Sequence, residues 1–126
     1  MLFPTIEEVL NLHEQAIEEF GGVHGLRDEA ALESALMAAE NRAYYESASL
    51  ATCAATYAYH LTQAHAFIDG NKRIAAAVSE LFLSINGARL ELTNDEIVDL
   101  FLGVAASQIT RDEIERIFVQ RVIASD

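Results

Sequence analysis

Apolar positions recur at helical spacing through most of this chain, three or four residues apart rather than two. From residue 6 to residue 20, Ile6, Val9, Leu10, His13 and Ile17 fall along one face, which predicts an amphipathic helix. Its start is written as Thr5 with Glu8, a capping box in which hydroxyl and carboxylate satisfy amides that the first turn leaves unbonded. The same device recurs at Thr93 with Glu96 and at Thr110 with Glu113, so two more helices are expected, over about Asn94 to Ala106 and Arg111 to Ile123. Gly21-Gly22 closes the first helix. After the loop Val23 to Arg27, Asp28 caps a second helix with Ala31, Leu32, Ala35, Leu36 and Ala39 on its inner side. The stretch Asn41 to Ser49 breaks this pattern and is expected to be irregular.

Two segments depart from amphipathicity. Leu50 to Ala66 and Ile74 to Ile85 are apolar or small nearly all round, which predicts two buried helices at the centre of the molecule. Ala75, Ala76 and Ala77 suit a close approach between helices. Asn86-Gly87 ends the second of them, and Ala88 to Leu92 alternates briefly as an extended piece. The expectation is an all-α fold: a compact bundle of about six helices around two central ones, with residues 1–126 as one domain. No repeat, linker or low-complexity segment interrupts it.

Composition narrows the function. The chain has 126 residues, with 20 Asp and Glu against 8 Lys and Arg, for a net charge of −12. Neutralising a nucleic-acid backbone requires a basic stripe, so direct nucleic-acid binding is not expected, and a protein partner is. Cys53 is the one cysteine, so no internal disulfide forms, and its apolar surroundings make it a core residue. The opening MLFPTIEEVL has no basic region and no long apolar core, so a secretory signal is not expected, and no apolar run reaches the ~18 residues of a membrane span. A cytoplasmic setting is the expectation.

Against that acidic background one run stands out: His65-Ala66-Phe67-Ile68-Asp69-Gly70-Asn71-Lys72-Arg73, between the two apolar helices. Lys72 is the sole lysine of the chain. Cations in the first turn of a helix oppose its dipole unless an anion sits there. The amides of Gly70, Asn71 and Lys72, with the Lys72 and Arg73 side chains, form a candidate phosphate site. Asp69 adds a hard oxygen ligand suited to Mg²⁺ on phosphate oxygens. His65 is a candidate general base for an attacking hydroxyl. Taken singly, these residues also read as a core histidine, a helix cap and solvated surface. It is their coincidence in a cation-poor chain that argues for a site.

The run resembles the signature of the Fic/Doc family, H-P-F-x-x-G-N-G-R, through His65, Phe67, Gly70, Asn71 and Arg73. Lys72 replaces the second glycine and Ala76 the trailing arginine, both of which resemble the Doc (death-on-curing) branch. The segment Gly21 to Asp28 and the total length are also similar to that branch. The resemblance implies a toxin that transfers the γ-phosphate of ATP to a threonine of an elongation factor, Tu, arresting translation. It also implies a separate antitoxin protein as partner. On this reading His65 is the catalytic base, Asp69 holds Mg²⁺, and Gly70, Asn71, Lys72 and Arg73 bind the nucleotide phosphates. A side chain at position 72 obstructs the cradle used for AMP transfer, which favours phosphoryl transfer. AMP transfer, as in Fic enzymes, and a catalytically silent binding module of the same fold are the alternatives.

Some Fic proteins carry an inhibitory helix of the form [ST]-x-x-x-E-[GN]. Here the one match to its end is Glu40-Asn41, with Leu36 where the hydroxyl belongs, so inhibition within the chain is not expected. Tyr44 and Tyr45 are candidates to dock a target backbone, as a flap does in that family, or are simply core or surface tyrosines. His13 and His60 are expected to be packing or exposed histidines.

Overall fold

A computed structural model describes residues 1–125, and their regular secondary structure is helical apart from two three-residue strands. The order is α1 (Ile6–Phe20), α2 (Glu29–Glu46), α3 (Leu50–Ala64), α4 (Asn71–Ile85), β1 (Ala88–Leu90), α5 (Asn94–Ala105), α6 (Arg111–Arg121) and β2 (Val122–Ala124). All three threonine capping boxes are present, each with the threonine oxygen accepting from the third amide of its helix. Asp28 and Ser49 cap α2 and α3 in the same sense, accepting from Ala31 and Thr52.

The all-α expectation therefore holds, and α3 and α4 are the central pair. Helix α3 packs against α2, α4, α5 and α6, and α4 also meets α1. Cys53, Ala54, Ala55, Tyr57 and Ala58 of α3 are fully buried, as are Ala75, Val78, Phe82 and Leu83 of α4. Alanines on both helices let their backbones approach, and the larger Ile74, Phe82 and Phe118 fill the space around them. Truncating a side chain such as Ile74 to alanine leaves a cavity and costs about 2–5 kcal/mol.

Two expectations need correction. Residues 41–46 are not irregular: α2 continues to Glu46. A tertiary contact supports the extension, because the Arg42 guanidinium bonds Glu115 of α6 and the Thr56 hydroxyl of α3. The chain breaks only at Ser47, in the left-handed region at φ 51°. The end of the predicted last helix is instead β2, which pairs antiparallel with β1, Ala88 opposite Ala124 and Leu90 opposite Val122.

Candidate active site

The nine-residue run occupies the corner between α3 and α4. His65 is the C-cap of α3, left-handed at φ 48°, and is exposed. Gly70 is the N-cap of α4, left-handed at φ 77°. A Cβ at Gly70 would lie 3.2 Å from Cδ1 of Ile17 and 3.5 Å from Nε2 of His13, so both the backbone and the space favour glycine. Between these caps Ala66 and Phe67 are buried, and Ile68 and Asp69 face outward.

The α1–α2 loop grips this corner. Leu26 forms an antiparallel bridge with Phe67. The Arg27 and Asp28 amides both donate to the Ala66 carbonyl, at 2.8 and 2.9 Å, and the Ile68 amide donates to the Gly25 carbonyl at 3.1 Å. The Arg27 guanidinium donates to the His65 carbonyl at 2.6 Å, one of the acceptors that the end of α3 leaves without a helical partner. Gly22 has no room for a side chain, since a Cβ there would meet Asp69 Oδ2 at 2.7 Å.

Asp69 is held on three sides. Oδ2 accepts from the Val23 amide at 3.1 Å and Oδ1 from the Gly70 amide at 2.8 Å. Those two backbone donors, with a smaller contribution from Arg73 and Lys72, hold its carboxyl below the usual aspartate range. Its carbonyl meets Nε2 of His13 at 2.8 Å.

The amino end of α4 is the one helix start among the described residues without a side-chain cap, and, like α3, it has no acidic residue in its first turn. The first helical bond is Ile74 to Gly70, which leaves the amides of Asn71, Lys72 and Arg73 without a helical acceptor. Lys72 and Arg73 are exposed, and among the described residues neither forms an ion pair. The Arg73 guanidinium lies 4.6 Å from the centre of the Phe20 ring, which orients it by cation–π attraction. A cavity of about 440 Å³ opens over this end. Asp69, Gly70, Asn71, Lys72 and Arg73 line one side of it, and Val98, Phe101 and Leu102 of α5 face them.

Five of the six expected site residues thus share one cavity. His65 is not part of its lining and stands at the other end of the corner. Two assignments change. The Gly70 amide is not free for an anion, because Asp69 takes it. The Asn71 side chain is turned inward: Oδ1 accepts from the Phe67 amide at 3.0 Å and Nδ2 donates to the Phe67 carbonyl at 2.9 Å. Asn71 therefore offers an anion only its backbone.

Tyr44 and Tyr45 are exposed on the last turns of α2, beside the start of α3. His65 is at the other end of α3, roughly 20 Å away at 1.5 Å per residue, so the two tyrosines do not flank it. The segment that reaches it is the α1–α2 loop, through Arg27. Its dense glycines were the signal in the sequence, and no periodicity argument could say which loop they would grip.

A metal would find a limited donor set. Among the described residues no group of three or more His, Cys, Asp or Glu side chains is placed to hold an ion. Mg²⁺, however, commonly binds through one carboxylate plus substrate phosphates and water. An outward-facing Asp69 carboxylate, kept ionised by two amides and standing beside unbonded amides and cations, fits that mode.

With this geometry in hand, the relationship to known proteins is informative. The chain is 34% identical over 105 residues to "Protein kinase doc" of Escherichia phage P1, covering 82% of each chain. It is 35% identical over 99 residues to "Toxin Doc" of Mycolicibacterium smegmatis, covering 75% of this chain and 76% of that one. The Fic/DOC family model matches residues 3–83, the span from the first helix through α3 and most of α4 that builds this corner, and the chain belongs to the Fic/Doc family.

Proposed function

We propose that this chain is a Doc-type toxin that transfers the γ-phosphate of ATP to a hydroxyl of a protein target. The observation that carries the reading is the bare amino terminus of α4. A helix start with unbonded amides, no acidic residue in its first turn and two cations that form no ion pair among the described residues, with Asp69 alone beside them, is arranged for an anion. The cavity above it lies within the ~300–1,000 Å³ usual for small-molecule sites.

In this mechanism the amides of residues 71–73 and the Lys72 ammonium hold the phosphates, and Arg73 neutralises charge that develops as the γ-phosphoryl group moves. Bound Mg²⁺ would supply further charge neutralisation on the phosphate oxygens, with Asp69 as its protein ligand. His65 takes the proton of the target hydroxyl as that oxygen bonds to the γ-phosphorus. The bond from the γ-phosphorus to its bridging oxygen breaks, and ADP leaves. The exposed position of His65, outside the anion cavity, suits a base that meets a large target arriving from solvent.

The Lys72 side chain at the position of a family glycine supports phosphoryl over AMP transfer. The relatives' names, one a kinase and one a toxin, point the same way. A translation elongation factor is the proposed target by that resemblance. A separate antitoxin is the proposed partner, since the chain lacks the inhibitory motif that some family members carry.

Incubating the purified protein with cell lysate and ATP labelled at either the α- or the γ-position tests this. Label on protein from the γ-position alone is expected. Label from the α-position indicates AMP transfer instead. Absence of both, with protein freed of any antitoxin, leaves a binding module.

A further inference from the structure

His13 is a buried histidine to which the mechanism above assigns no task. It is 4% exposed, on the inner face of α1, and its ring stacks on Phe67 with centroids 3.8 Å apart and planes 12° from parallel. Stacking alone asks only for a flat apolar ring. The Nε2 atom does something more specific: it lies 2.8 Å from the Asp69 carbonyl oxygen. A carbonyl oxygen only accepts, so Nε2 carries the hydrogen and donates it.

That carbonyl belongs to the peptide unit joining Asp69 to Gly70. A peptide unit is planar, so fixing the direction of its oxygen fixes the direction of its N–H. The N–H in question is the Gly70 amide, which donates to Asp69 Oδ1 at 2.8 Å. One plane is therefore held by His13 at one edge and holds the Asp69 carboxylate at the other. Gly70 is the residue least restricted in its backbone angles, and among the described residues the His13 bond is the one hydrogen bond from α1 that resists rotation of this plane. The second carboxylate bond, from Val23 to Oδ2, depends on the same orientation.

We propose that His13 is a positioning residue, aiming the Asp69 carboxylate into the anion cavity through the Asp69–Gly70 peptide plane. Its consequence for catalysis rests on the phosphotransfer reading; its consequence for the geometry does not.

Two substitutions separate the ring from its donor. His13→Phe keeps the stack on Phe67 and removes the hydrogen bond, whereas His13→Gln removes the stack and keeps an N–H within reach. Amide hydrogen exchange is followed at Val23 and Gly70, with Val78 and Phe82 of α4 as internal references. In His13→Phe, exchange at Val23 and Gly70 should quicken by roughly tenfold, the scale of one lost hydrogen bond, while the references stay unchanged. His13→Gln should keep most of the wild-type protection. In the transfer assay His13→Phe should lower kcat and raise the Mg²⁺ concentration needed for half-maximal rate, with KM for the protein target unchanged. His13→Gln should recover both.

Unaltered exchange at Val23 and Gly70 in a folded His13→Phe protein overturns the proposal, as does equal loss of protection in both variants. Should His13→Phe not fold, the ¹⁵N spectrum of the wild-type imidazole decides, since the Nδ1–H form would leave Nε2 with nothing to donate. If the wild-type protein transfers no phosphate at all, the phosphotransfer reading fails, and the exchange data still decide the role of His13.

Discussion

Helices α5 and α4 begin in opposite ways. At α5, Thr93 and Glu96 close on each other's backbone amides, and Asp95 and Glu96 place negative charge against the positive end of the helix. At α4 a glycine stands where the cap belongs, no carboxylate lies in the first turn, and Lys72 and Arg73 add positive charge to a positive end. The first arrangement lowers the energy of the isolated chain. The second opposes the helix dipole and is offset only in part by the neighbouring Asp69 carboxylate. The side-chain cap missing here is present at the five other helices, and a start that breaks a local rule kept elsewhere in the same molecule is where the proposed binding role explains the sequence better than stability does.

The contrast predicts that the two kinds of helix start respond to mutation in opposite currents. The largest effect is expected from His65→Ala, which should reduce phosphate transfer by roughly 10²–10⁴-fold, the usual contribution of a general base. Because His65 is exposed, the melting temperature of that variant should stay close to wild type, and a large drop would place His65 in the framework instead. Next comes Lys72→Met, which removes the sole lysine from the bare end of α4. Transfer should fall by about 10²-fold, with folding stability unchanged or slightly raised as repulsion is relieved. A rate unaffected by this change would mean that α4 does not hold the phosphates.

Thr93→Ala should do the reverse. Losing the cap of α5 should cost about 1 kcal/mol and lower the melting temperature by a few degrees, leaving transfer intact. The smallest effect is in pH dependence. Bonding to their threonine caps holds the carboxyls of Glu8, Glu96 and Glu113 below the ordinary glutamate value of 4.5. Carboxyls lowered on folding stabilise the protein above that value, and the contribution fades as pH falls through their lowered values. Melting temperature should therefore decline below about pH 4.5, and replacing all three residues with glutamine should flatten part of that decline. A decline identical in slope would assign acid sensitivity to other groups.

Much of this was legible in the sequence because the rules involved are local. Capping boxes depend on residues three apart, and the apolar runs of α3 and α4 announce burial without a partner being known. What was not legible depends on meetings across the chain. Residues 41–46 lack helical patterning but gain the Arg42 contacts to Thr56 and Glu115, and tertiary bonding overrides weak local preference. The strand β2 exists only because β1 lies beside it. Asn71 has the same residue type whether its side chain faces a phosphate or turns back to Phe67, and only coordinates distinguish the two. His13 looked like a packing residue and is one; the single atom that matters, Nε2, points at a carbonyl 56 residues away.

The bridge between Leu26 and Phe67 has one more consequence. Surface connections between helices usually tolerate added or deleted residues, because little depends on their path. Here the stretch from Gly22 to Asp28 is stitched by three backbone hydrogen bonds to the segment that carries the candidate site. It supplies no reactive group, yet its span is fixed as firmly as that of a buried element. Lengthening it by even one residue would shift every stitch out of phase, and an apparently dispensable connector would then disable the protein without touching any atom that reacts.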